Sequence, residues 1–101
     1  MALSADQRRY LDEVRRLAVR ELAGGAEVYL FGSFARGTAR RGSDIDLAVL
    51  PRADAAQGAL SRLREALEES WVPYRVDVVD LREADPAFRE RVLKEGVRWS
   101  A

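Results

Sequence analysis

Asp44 and Asp46 stand one residue apart in an otherwise apolar stretch, residues 44–50 (DIDLAVL), that runs into Pro51. Aspartate is depleted from strands, and on an extended chain residues two apart project from one face about 6.5–7 Å apart. Like charges at that spacing need a cation, and clustered carboxylates are natural ligands for Mg²⁺ or Mn²⁺. A third carboxylate comes from residues 75–80 (RVDVVD), which hold Asp77 and Asp80. Strand alternation places those two on opposite faces, and Asp77 is the one expected at the metal. Three such carboxylates suit a two-metal site for phosphoryl or nucleotidyl transfer.

A second group lies upstream, where Gly32 and Ser33 follow the short aliphatic and aromatic run EVYLF, residues 27–31. Glycine permits close backbone approach, amides at the start of a following turn of helix can hold phosphate oxygens, and the Ser33 hydroxyl adds a donor. A Gly-Ser pair alone means little. Beside the aspartates it implies a triphosphate held at both ends, by metals at its α and β oxygens and by the glycine-serine turn at its terminal ones.

Composition narrows the chemistry further. The 101 residues contain no cysteine and no histidine, which removes thiol nucleophiles, disulfides, zinc sites built on those residues and imidazole catalysis. The 17 basic and 17 acidic side chains cancel, which argues against general nucleic-acid binding. At 48% hydrophobic and 34% charged, the chain reads as one globular domain over residues 1–101. No apolar run reaches membrane-spanning length and no signal peptide is recognised, so a cytoplasmic location is expected.

The elements that must position these groups follow from periodicity and punctuation. Ser4 and Gln7 resemble a capping box, and Leu11, Val14, Ala18 and Leu22 recur at helical spacing, predicting a helix over 5–23 that ends at Gly24-Gly25. Strands are expected over 27–31, 44–50 and 75–80, with Ile45, Leu47 and Val49 on one face of the second and Asp44 and Asp46 on the other. A short helix is expected near Ser33, and a longer one over 54–70 from Leu60, Leu63 and Leu67. Asp85-Pro86 opens a last helix ending near Gly96, and residues 97–99 form a small strand. The alternation predicts an α/β fold in which helices cover a small mixed sheet of three to four strands.

The segment FGSFARGTARRGSDIDLAVL, residues 31–50, resembles the signature of the polymerase β-like nucleotidyltransferases, in which a Gly-Ser pair precedes an Asp-x-Asp strand. PYRVDVVDL, residues 73–81, and the ending Glu95-Gly96-Val97 are similar to the minimal nucleotidyltransferases (MNT) of that superfamily, the type paired with HEPN-domain proteins. The resemblance covers most of the chain and implies the polymerase β-like nucleotidyltransferase fold. It implies that Gly32 and Ser33 bind phosphate, that Asp44 and Asp46 bind both metals, and that Asp77 binds the catalytic one. Phe34 departs from it, standing where many such proteins carry a basic or polar side chain, and Arg36, Arg40 and Arg41 could compensate.

The activity so implied is Mg²⁺- or Mn²⁺-dependent transfer of a nucleoside monophosphate, AMP from ATP, to a hydroxyl on a separate helical HEPN-type partner, as the antitoxin of a toxin–antitoxin pair. Two other readings stay open: a catalytic subunit modifying a small molecule presented by a helical partner, and a non-catalytic antitoxin acting by binding. Trp71, Tyr74, Val97 and Trp99 are candidate partner anchors, with core burial the competing role for the aromatics.

Overall fold

A computed structural model describes residues 3–52 and 58–99. The chain forms α1 (Ala5–Leu22), β1 (Ala26–Phe31), α2 (Gly32–Arg36), β2 (Ile45–Pro51), α3 (Ala59–Glu68), β3 (Val76–Asp80), α4 (Pro86–Glu95) and β4 (Val97–Arg98). The expected order is found throughout, and the local chemistry explains the boundaries. The Ser4 hydroxyl accepts from the Gln7 amide and the Gln7 side chain accepts from the Ser4 amide, a complete capping box, while Ala23 closes α1 in the left-handed region. Asp85 caps α4 through the Phe88 amide, with Pro86 at the first helical position. Asp44 falls just outside β2 rather than within it. The expected start of the third helix at Asp54 lies outside the described residues; α3 begins after Gly58, whose φ is +79°.

The four strands form one mixed sheet in the order β3-β2-β1-β4. β1 is antiparallel to β2 and β4, and β2 is parallel to β3. α1 and α3 cover one face, where Val14, Leu17, Leu63, Val28, Leu30, Ile45, Leu47 and Val49 make the main core. On the other face, Tyr29 and Ala48 pack with Leu81 and with Phe88 and Val92 of α4. Alternation therefore puts Ile45, Leu47 and Val49 beneath the helices and turns Asp46 to the face that α4 shares. β3 is an outer strand, and the Arg64 guanidinium donates to the Val78 carbonyl at 2.9 Å, covering part of its free edge. Among the described residues no helix is long and apolar enough to cross a membrane.

Candidate active site

The sheet register brings the sequence-predicted groups together. Asp46 of β2 lies beside Asp77 of β3 on one side and beside Phe31 of β1 on the other. Gly32 follows Phe31, so strand pairing delivers the glycine-serine turn next to the carboxylate. Gly32 has φ +77°, and a Cβ there would collide with the Asp46 carboxylate oxygen, with Asp46 Cγ only 3.2 Å away. Glycine is required both for the backbone conformation and for the space that Asp46 fills. Among the described residues the Ser33 hydroxyl makes no hydrogen bond, while the Ser33 carbonyl accepts from the Thr38 amide at 3.0 Å.

Burial, reinforced by the charges of Asp77 and Asp44, raises the Asp46 carboxyl above its ordinary range; Arg36 opposes the shift. This is the electrostatic signature of carboxylates short of positive charge. Asp77 is instead turned to Arg75, whose guanidinium lies 3.3 Å from it, and both side chains are substantially exposed. In these side-chain positions no three carboxylates among the described residues are grouped closely enough to hold an ion together. The residues fit a hard divalent cation in donor type and strand placement, with the charges of Asp77 and Asp44 both felt at Asp46.

The competing carboxylate has a different fate. Asp80 pairs with Val49 on the helix-covered side of the register and is buried. It accepts from the Arg82 amide at 2.9 Å and from both arms of the Arg82 guanidinium, which hold its carboxyl below the ordinary range despite burial. Asp80 is thus a clamp on the turn after β3, and alternation correctly separated it from Asp77.

Two regions flank the carboxylates. Between α2 and α4 lies a cavity of about 350 Å³ bounded by Phe31, Gly32, Arg36, Phe88, Arg91 and Glu95. Phe31 and Phe88 meet edge-on at 5.4 Å, and Arg91 lies over the Phe88 ring. Sequence reasoning missed Phe88 and Arg91, which carry no motif and reach this face only because α4 folds back over β1. On the other side, a larger cleft of about 700 Å³ runs past Tyr10, Arg40, Arg41, Asp44, Tyr74 and Arg75. The three arginines grouped from the sequence are therefore divided: Arg36 belongs to the α2–α4 side, Arg40 and Arg41 to the other.

The aromatic candidates are divided as well. Trp99 is buried in the core, its amide donating to Val28, whereas Trp71 and Val97 are exposed. Tyr74 packs partly buried between Tyr10 and Phe34. The departure at Phe34 has a packing reason: it is 2% exposed and inserts α2 into the core against Tyr74.

Carboxylates on adjacent parallel strands face a glycine-serine turn on a four-stranded mixed sheet flanked by helices. Residues 26–98 match the family described as Polymerase beta, Nucleotidyltransferase. The probable protein adenylyltransferase MntA of Haemophilus influenzae is 37% identical over 76 residues, covering 75% of this chain and 67% of that protein. The protein adenylyltransferase MntA of Shewanella oneidensis is 41% identical over 69 residues, 68% of this chain and 49% of that protein, so the chain spans about half of that relative's length.

A minimal nucleotidyltransferase structure superposes with a TM-score of 0.70 at 39% identity, covering 96% of this chain and 95% of that one. A toxin–antitoxin structure with AMP-PNP gives 0.60 at 31% identity over 84% and 71% of the two chains. A complex of tri-AMPylated Shewanella oneidensis HEPN toxin with MNT antitoxin gives 0.55 at 28% identity over 92% and 71%. The chain belongs to the polymerase beta nucleotidyltransferase family.

Proposed function

We propose that this chain, as a single nucleotidyltransferase domain, transfers AMP from ATP to a hydroxyl on a separate helical HEPN-type protein, acting as the antitoxin of a toxin–antitoxin pair. The observation that carries the chemistry is the meeting of Asp46 and Asp77 on adjoining strands beside Gly32 at the start of α2. The choice of AMP and of a HEPN acceptor is supported by the adenylyltransferase relatives and by the neighbour whose toxin is AMPylated.

In this reading Asp44 and Asp46 would hold two Mg²⁺ or Mn²⁺ ions, and Asp77 one of them. Such ions, when bound, neutralise charge building on the phosphates and acidify a coordinated hydroxyl. The acceptor oxygen forms a bond to the α-phosphorus in line with the leaving group, and the bond to the bridging α–β oxygen breaks. Pyrophosphate departs toward Gly32, Ser33 and Arg36, whose donors hold its oxygens. The hydroxyl proton passes to the Asp77 carboxylate, the site carboxylate on the side away from Gly32.

The test is to purify the chain with the product of its neighbouring gene, add ATP and Mg²⁺, and look by mass spectrometry for adenylate on that partner. Adenylate on the partner is expected, and it should be absent from the Asp46→Asn chain. A stable complex without modification would favour neutralisation by binding. Transfer only to a small molecule would favour the catalytic-subunit reading.

A further inference from the structure

One face of α4 carries a row of side chains to which the transfer chemistry has so far given no role. Phe88, Arg91, Val92 and Glu95 recur at helical spacing, and all four line the cavity of about 350 Å³ that opens at Phe31 and Gly32. Val92 is buried against the sheet, which accounts for it as core. Arg91 and Glu95 are exposed on the cavity wall, where packing alone calls for neither charge.

The charged groups on that wall are Arg36, Arg91 and Glu95, two guanidinium groups against one carboxylate. Among the described residues none of the three makes an ion pair or a hydrogen bond, although Arg91 and Glu95 lie one helical turn apart. Arg91 instead lies over the Phe88 ring, 5.8 Å from its centre, and Phe88 is itself held edge-on against Phe31. A guanidinium stacked on a fixed ring keeps its fork of donors free and oriented, which suits the oxygens of a phosphate.

Position ties the cavity to the reaction. Phe31 pairs with Asp46 across β1 and β2, so the two share a sheet face about one strand spacing apart, roughly 4.8 Å. The cavity begins at Phe31 and Gly32, on the side of Asp46 away from Asp77. A leaving group departing from a phosphorus beside Asp46 and passing Gly32 enters it, with Arg36 of α2 on one side and Arg91 of α4 on the other. We infer that the cavity between α2 and α4 receives the terminal phosphates of the nucleotide and then the outgoing pyrophosphate. Arg91 binds them opposite Arg36, and Glu95 limits how tightly the product is held. The inference rests on the nucleotidyl-transfer reading, which sends pyrophosphate past Gly32.

The test measures binding of inorganic pyrophosphate, AMP-PNP and GMP-PNP to the full chain by titration calorimetry in Mg²⁺. Arg91→Gln is expected to weaken pyrophosphate and both nucleotides about tenfold, the loss of one charge-assisted contact, and Arg91→Lys should recover part of that affinity. Lys94→Gln removes the same charge from α4 outside the cavity and should change nothing. Glu95→Gln should act with the opposite sign and tighten pyrophosphate, since it takes a like charge from beside the phosphates. All three positions are exposed, and melting of the same samples checks that each variant is folded.

Unchanged pyrophosphate affinity in Arg91→Gln, or an equal loss in Lys94→Gln, would overturn the assignment. A shift in the preference between AMP-PNP and GMP-PNP with pyrophosphate unaffected would also overturn it, and would make the cavity a pocket for the base. The two readings fail separately. Nucleotide binding by the unsubstituted chain that ignores Arg91→Gln sinks the cavity assignment alone. An unsubstituted chain that binds neither AMP-PNP nor pyrophosphate in Mg²⁺ sinks the transferase reading and takes the assignment with it.

Discussion

Asp46 is held where its charge is unwelcome, and that fact has a sign. Its folded carboxyl is raised by burial and by Asp77 and Asp44, so its contribution to stability is fully present below the ordinary aspartate range and is lost as pH rises through the raised value. Asp46→Asn is therefore expected to stabilise the metal-free chain at neutral pH, read as a higher melting midpoint in chelator. The same change should lower transfer by at least about a hundred- to a thousandfold, since it removes a preorganised charge. Asp80 has the opposite sign: held down by Arg82, it contributes stability above the ordinary range that disappears as pH falls through its depressed folded value. Asp80→Asn should cost about 1.5–3 kcal/mol at neutral pH and flatten the acid side of the stability profile, with transfer per folded molecule retained. If transfer fell with Asp80→Asn and survived Asp77→Asn, the metal role would move to the other strand face. These aspartates were legible because alternation and residue type speak together; the Arg75 ion pair to Asp77 was not, since nothing in the sequence fixes where an exposed guanidinium turns.

At the scale of elements, α2 is five residues long and has no side-chain cap at its start, so its position depends on what it packs against. Phe34 supplies that packing, and Phe34→Ala is expected to cost about 3–5 kcal/mol, read by denaturant unfolding. Phe34→Leu should keep the fold yet weaken nucleotide binding, because the turn at Gly32 and Ser33 is carried by the same short helix. Unchanged nucleotide affinity in Phe34→Leu would show that the turn is set by β1 alone. The order of strands and helices could be read from apolar periodicity and from Gly24, Gly32, Pro86 and Gly96 as punctuation. The pairing could not: β1 stands between β2 and β4, and α4 crosses to the face opposite α1 and α3, both consequences of long-range burial rather than local pattern. That is why Phe88 and Arg91 escaped notice while Asp46 did not.

For the molecule as a whole, clustered carboxylates and a ligand that binds only the folded state link stability to metal concentration. At a hundredfold excess over its dissociation constant Mg²⁺ should add about 2.7 kcal/mol, seen as a higher melting midpoint than in chelator. An unchanged midpoint at saturating metal would argue against an assembled site. The topology adds a consequence for the site's local stability. Gly32 and Asp46 are brought together by the antiparallel pair β1–β2, joined by α2 and a short return, within the middle of the sheet. Asp77 stands on β3, an outer strand held by one neighbour. Opening of that edge would part Asp77 from Asp46 while leaving the glycine turn and Asp46 in register, so the site can be disarmed at one strand without unfolding the rest of the sheet.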